Sequence, residues 1–179
     1  MISVGVKVTE GIDLVGKLVN DMATLGKKEV MVGIPESEDA REDPGIGNAA
    51  LAYIHDKGSP LNGIPARPFM EPGIRKAKDP INTHMLSAAK AQMNDKPEEA
   101  NVYLHRAGQV AENSVKRVIT KGEGFAPIKR STKLARLRKS KTAGGWTKEK
   151  RESVMDEMKP LIETASMRNA ITHVVGDKK

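Results

Sequence analysis

Cysteine is absent from the 179 residues, and aromatic side chains are nearly so, with two Phe, two Tyr and one Trp. The first absence excludes a disulfide framework, a Cys-ligated zinc or iron-sulfur site and a thiol nucleophile. The second removes the large side chains that dominate most cores and interfaces. Leu, Ile, Val and Phe together number 38. That is about a fifth of the chain, near the level below which strongly charged chains stop folding alone. The core is therefore expected to be thin, and the protomer to need neighbours. No apolar run approaches the ~18–20 residues that span a bilayer, and the N-terminal residues lack a basic stretch followed by an apolar one and a cleavage signal. A soluble protein made in the cytoplasm, with no membrane partner, is the expectation.

What the sequence has in excess is positive charge, and it is concentrated. Residues 115–151 hold thirteen Lys or Arg against two Glu, a balance of +11, so the remainder carries −4 of the net +7. A mildly acidic body with one basic segment differs from a uniformly basic nucleic-acid-binding domain.

Ile2, Val4, Val6 and Val8 alternate with smaller or polar residues and predict a short strand. Ile12, Val15, Leu18, Val19, Met22 and Leu25 then recur at three- and four-residue steps, predicting a helix stopped by Gly26. Residues 29–34 predict a strand that Pro35 ends, and residues 36–48 an exposed acidic loop. Residues 49–57 predict a short helix with Ala49, Ala52 and Tyr53 inward. Residues 71–93 predict a helix kinked or restarted at Pro80, and residues 98–120 a long helix after an Asp95 cap. Residues 122–145 show no sustained period and predict a long loop, and residues 147–158 a charged helix with Val154, Met155 and Met158 as its apolar contacts. Thr164 is expected to cap a short helix, and residues 171–175 to form a closing strand. The fold expected is α+β: a small mixed or antiparallel sheet with two or three long helices packed on it. One domain would comprise residues 1–121 and 159–179, with residues 122–158 as a basic loop or extension.

Catalytic motifs find little support. The four histidines (His55, His84, His105, His173) have no i,i+3 or i,i+4 pair and no HExxH. Gly45 and Gly47 lack a Walker or dinucleotide pattern, and no serine sits in a nucleophile elbow. No enzyme activity, metal or cofactor is expected. Lys129, Arg130, Lys133, Arg136, Arg138, Lys139 and Lys141 could instead meet phosphates, with Trp146 stacking on a base, or meet acidic protein surfaces, or serve only as a solvated segment.

Residues 53–60 (YIHDKGSP), followed by Gly63-Ile64-Pro65-Ala66-Arg67-Pro68-Phe69-Met70, resemble a pattern of tailed-bacteriophage morphogenesis proteins, the tail-completion or neck group. In that group a strand ending in VGIP leads to a short helix, a Gly-containing turn, IP-x-R-x-F and a long helix, and later to PLIDTG, a short helix and a strand. Here Val32-Gly33-Ile34-Pro35 matches the first block and residues 160–172 (PLIETASMRNAIT) the last, with Ala165 in place of the usual Gly. The basic stretch is longer than in the pattern. The resemblance implies a virion protein at the head-tail junction, a ring of identical subunits, six expected, around the DNA channel. Its partners would be the portal, connector or stopper protein on one side and the tail tube or tail terminator on the other, with nonspecific DNA contact possible. Ile64, Pro65, Ala66, Arg67, Pro68 and Phe69 are the interface residues expected, since an Arg between two prolines is rigidly displayed. The alternative is a nonspecific DNA-binding accessory protein that uses residues 115–151.

Overall fold

The computed structural model describes residues 14–40, 45–140, 143–161 and 165–178. The strand expected at residues 2–8, Ile12, Lys141 and the Thr164 cap lie outside them. The fold is α+β. Helices α1 (Leu14–Gly26), α2 (Asn48–Lys57), α3 (Met70–Lys76), α4 (Lys78–Met93), α5 (Pro97–Lys121), α6 (Arg130–Lys139), α7 (Lys148–Glu157) and α8 (Ser166–Ala170) accompany strands β1 (Lys28–Gly33) and β2 (Thr172–Asp177). Among the described residues the sheet is a two-stranded antiparallel ribbon, with Val30 opposite Val175 and Val32 opposite His173.

Helix α5 is the spine. Its apolar positions Leu104, Ala107, Ala111, Val115 and Val118 recur at helical spacing and are buried, with α3, α4 and the sheet packed along it. Lys96, not Asp95, precedes its first turn without a side-chain cap, because Asp95 adopts a left-handed conformation and pairs with Lys17. The helix expected over residues 71–93 is two helices, broken at Ala77, which puts Pro80 in the first turn of α4 where its missing N–H loses no bond.

Buried side chains form three clusters. The first joins Phe69, Val115, Val118, Ile119, Met167 and Ile171, with Val32, Ile34, Leu51 and Leu161 against it. The second, small-residue cluster joins α4 to α5 through Ala88, Ala91, Ala100 and Leu104. The third is a satellite of Leu137 and Met155, with Trp146, Val154 and Met158.

Three expectations change. The stretch expected as a long loop, residues 122–145, contains α6, because Leu137 packs against Met155 of α7, the charged helix expected over residues 147–158. The apolar stripe of α1 forms as a helix face, yet Val15, Leu18, Val19 and Met22 stay exposed. On α2, Ala52 packs against the first cluster as expected, but Tyr53 is 68% exposed and Ala49 is exposed too, and the three line an open groove. The other inward positions of α2 are Leu51 and the buried polar Asn48 and Asp56. No described helix is long and apolar enough to cross a membrane.

Candidate functional site: a cationic cavity between two loops

The site begins at the C-terminal end of α2. Gly58, at φ 80°, ends the helix, and a Cβ there would lie 2.7 Å from the Ala66 nitrogen, so only glycine allows the chain to fold back this closely. Ser59 and Ile64 then exchange two backbone hydrogen bonds of 2.8 and 3.0 Å, closing a tight tip over residues 60–63. The Arg67 nitrogen donates to the His55 carbonyl at 2.8 Å. Asp56, nearly buried, accepts from the nitrogens of Phe69 (2.8 Å) and Met70 (3.1 Å) and pairs with Lys57 at 3.1 Å. Burial raises the pKa of its carboxyl, but the two N–H groups and Lys57 outweigh burial and hold it below the usual carboxylate range. A lowered folded-state pKa makes this contribution to stability complete above about pH 4 and lost as the pH falls further.

Arg67 is only 8% exposed. The outward display expected from its two flanking prolines is corrected: the guanidinium turns inward, Nε donating to the Ala126 carbonyl at 2.9 Å and Nη2 to that of Pro127 at 3.4 Å. These carbonyls lie before α6, outside any helical ladder, so they are available to fix a buried cation. Burial first, and the charge of Arg136 second, lower the Arg67 pKa from its usual value.

The two sets of residues singled out in the sequence meet here. A cavity of about 220 Å3 is lined by Ile64, Pro65 and Arg67 from one loop, by Lys129, Thr132 and Arg136 from the basic segment, and by Pro160 and Leu161. Lys129 Nζ donates to the Gly63 carbonyl at 3.2 Å and Arg136 Nη1 to that of Lys159 at 3.3 Å. Among the described lining residues there are three Lys or Arg and no carboxylate. Such a recess suits an anion flanked by apolar groups, a carboxylate or a phosphate.

The other candidates lie elsewhere. Phe69 is fully buried in the first core cluster, and Ala66 and Pro68 are exposed outside the cavity. Arg130 makes a two-pronged pair with Glu152 of α7, one contact at 3.0 Å. Lys133 is half-buried, while Arg138 and Lys139 are exposed near the end of α6. His55, Pro160 and Leu161 complete the cavity; the sequence marked them only as parts of two separate blocks, and it is the fold that brings them together. Among the described residues no group of three or more His, Asp or Glu could hold a metal ion. Set against protein-family models, curated proteins and solved structures, the chain has no match.

Proposed function

We propose that the chain is a structural virion protein of a tailed bacteriophage, acting at the head-tail junction as a ring of identical copies around the DNA channel, without catalysis. The observation that carries this reading is the packing of the three blocks that resemble tail-completion and neck proteins. Val32 and Ile34 from the VGIP block, Phe69 from IPARPF, and Leu161, Met167 and Ile171 from the last block share one core cluster. The three blocks, far apart in the sequence, thus meet in one core. Ala165 supports the same reading: its φ of 56° is the left-handed conformation that favours the glycine of the pattern.

The cationic cavity favours a protein partner over DNA. Arg67 is recessed beyond the reach of phosphates on a duplex surface, and Arg130 is already neutralised by Glu152. An acidic side chain on a segment of the connector or tail tube could enter where a duplex could not. The second reading, a DNA-binding accessory protein, draws on the exposed Arg138, Lys139, Lys148, Lys150 and Arg151.

Changing Lys129, Arg130, Lys133 and Arg136 to Gln tests the two. The expected result is heads and tails that remain unjoined, with rings of the wild-type protein on tail ends by negative-stain microscopy. Normal joining with altered DNA retention, or a purified monomer that shifts DNA in a strongly salt-dependent way, would move the function to the second reading.

A further inference from the structure

We infer that neighbouring copies in the ring contact one another head to tail, the Leu61 tip of one protomer seating in the groove beside α2 of the next. The inference rests on the ring reading above and gives it a specific surface. Leu61 is 101% exposed, so its side chain is covered by none of the described residues. A single exposed leucine is ordinary on a mobile loop, but this one stands on a braced tip. The Ser59–Ile64 bridge closes its base, Asn62 Nδ2 donates to Ser59 Oγ at 2.9 Å, and Lys129 holds the Gly63 carbonyl. A preorganised apolar knob loses little entropy on docking.

The receiving surface is the groove that the sequence patterns as a buried face. Ile34, Ala49, Ala52, Tyr53 and Met70 line about 290 Å3, with Phe69 among the lining residues and fully buried. A cavity of roughly 150 Å3 holds benzene, so a leucine side chain fits. Beside Ile34 and Ala49 stand Glu36 and Glu38, both exposed and without an ion pair among the described residues. Their turn is fixed, because the buried Asn48 donates through Nδ2 to the carbonyls of Glu38 (3.1 Å) and Ala40 (3.2 Å). Lys57, on the groove rim, is already paired with Asp56. The tip thus offers an apolar knob beside the cation of Lys129, and the groove an apolar hole beside two unpaired carboxylates.

Knob and hole are separate surfaces of the protomer: Leu61 stands on the tip over residues 60–63 and is not among the residues that line the groove. In a ring of identical copies the contact is heterologous, each tip seating in the next protomer's groove, and it closes when the rotation does.

The absence of native cysteine makes the test clean. Leu61→Cys protein mixed with Ala49→Cys protein should form a heterodimer through a short bis-maleimide, well above either variant alone. Leu61→Asp should weaken self-association at least ten-fold by light scattering with the monomer's thermal midpoint unchanged. Lys129→Glu should weaken it too, and adding Glu38→Lys to the same chain should restore it. Rings that persist in Leu61→Asp, or Leu61→Cys protein that links only to itself, would overturn this contact and leave the ring reading standing. A wild-type chain that stays monomeric in solution and makes no ring on tails would overturn the ring reading, and this contact with it.

Discussion

Ala165 carries the clearest residue-scale conflict between side chain and backbone. Its Cβ meets the following carbonyl in the left-handed region, at a cost of roughly 1–2 kcal/mol that glycine does not bear. The conformation is retained because Ala165 starts α8, its carbonyl accepting from Asn169 at 2.8 Å, and α8 carries Met167 into the main core. Ala165→Gly relieves the strain, and the added freedom of glycine in the unfolded chain takes back part of the gain. A net stabilisation of about 0.5–1 kcal/mol is expected, seen as a thermal midpoint raised by a few degrees. A lowered midpoint would show that the Ala165 methyl makes contacts worth more than the strain.

At the scale of elements, the approach of β2 to α5 depends on the absence of one side chain. A Cβ on Gly108 would lie 2.5 Å from Cδ2 of His173, whose Nδ1 is 2.8 Å from Glu112 Oε2 one turn further along α5. The other ring nitrogen sits 3.4 Å from His105 Nδ1, so the imidazole is held over the notch from both sides. Two effects oppose each other in Gly108→Ala. Alanine gains about 1 kcal/mol of helix propensity, whereas overpacking against a held ring costs about 1–3 kcal/mol. Overpacking wins, so denaturant unfolding should show net destabilisation. In a His173→Ala background the cost should fall without vanishing, because the Cβ of residue 173 would still lie 2.9 Å from the new methyl. An unchanged cost in the His173→Ala background would mean that the ring is not what the new methyl meets.

At the scale of the whole molecule, stability is unevenly distributed. The largest fully buried side chains are Phe69, Ile119, Ile171, Val115 and Asn48, four of them in or beside the first core cluster. Helices α6 and α7 belong to the satellite around Leu137 and Met155, tied to the body by the side-chain hydrogen bonds of Arg67, Lys129 and Arg136. Local opening is expected where few apolar contacts oppose it. Leu137→Ala, worth about 2–5 kcal/mol at a buried site, should therefore open residues 122–158 selectively. Tryptic cleavage there should quicken while amide exchange in α5 stays slow. An equal loss of protection in α5 would show that the satellite and the body unfold as one unit.

Signals confined to a few neighbouring residues determined most of the elements. The periodicity and Gly26 stop of α1, Pro35 after β1, Pro97 at the start of α5 with Gly122 at its end, and Thr147 before α7 all act within a turn or two, where backbone sterics and capping decide the outcome. Even the two sets of site residues were legible as separate stretches. Their meeting was not, because Arg67 is held by carbonyls 59 and 60 residues away, and no local rule says which way a guanidinium between two prolines will turn. Nor did periodicity decide exposure: it marks a face as apolar, and only the packing of the remaining elements leaves the stripes of α1 and α2 open. The helix α6, with Leu134 and Leu137 among five cations, likewise exists through a long-range contact with Met155. Local chemistry determined which segments are helix or strand, and the tertiary structure alone decided which faces are covered, since coverage depends on what the chain brings back from far along its length.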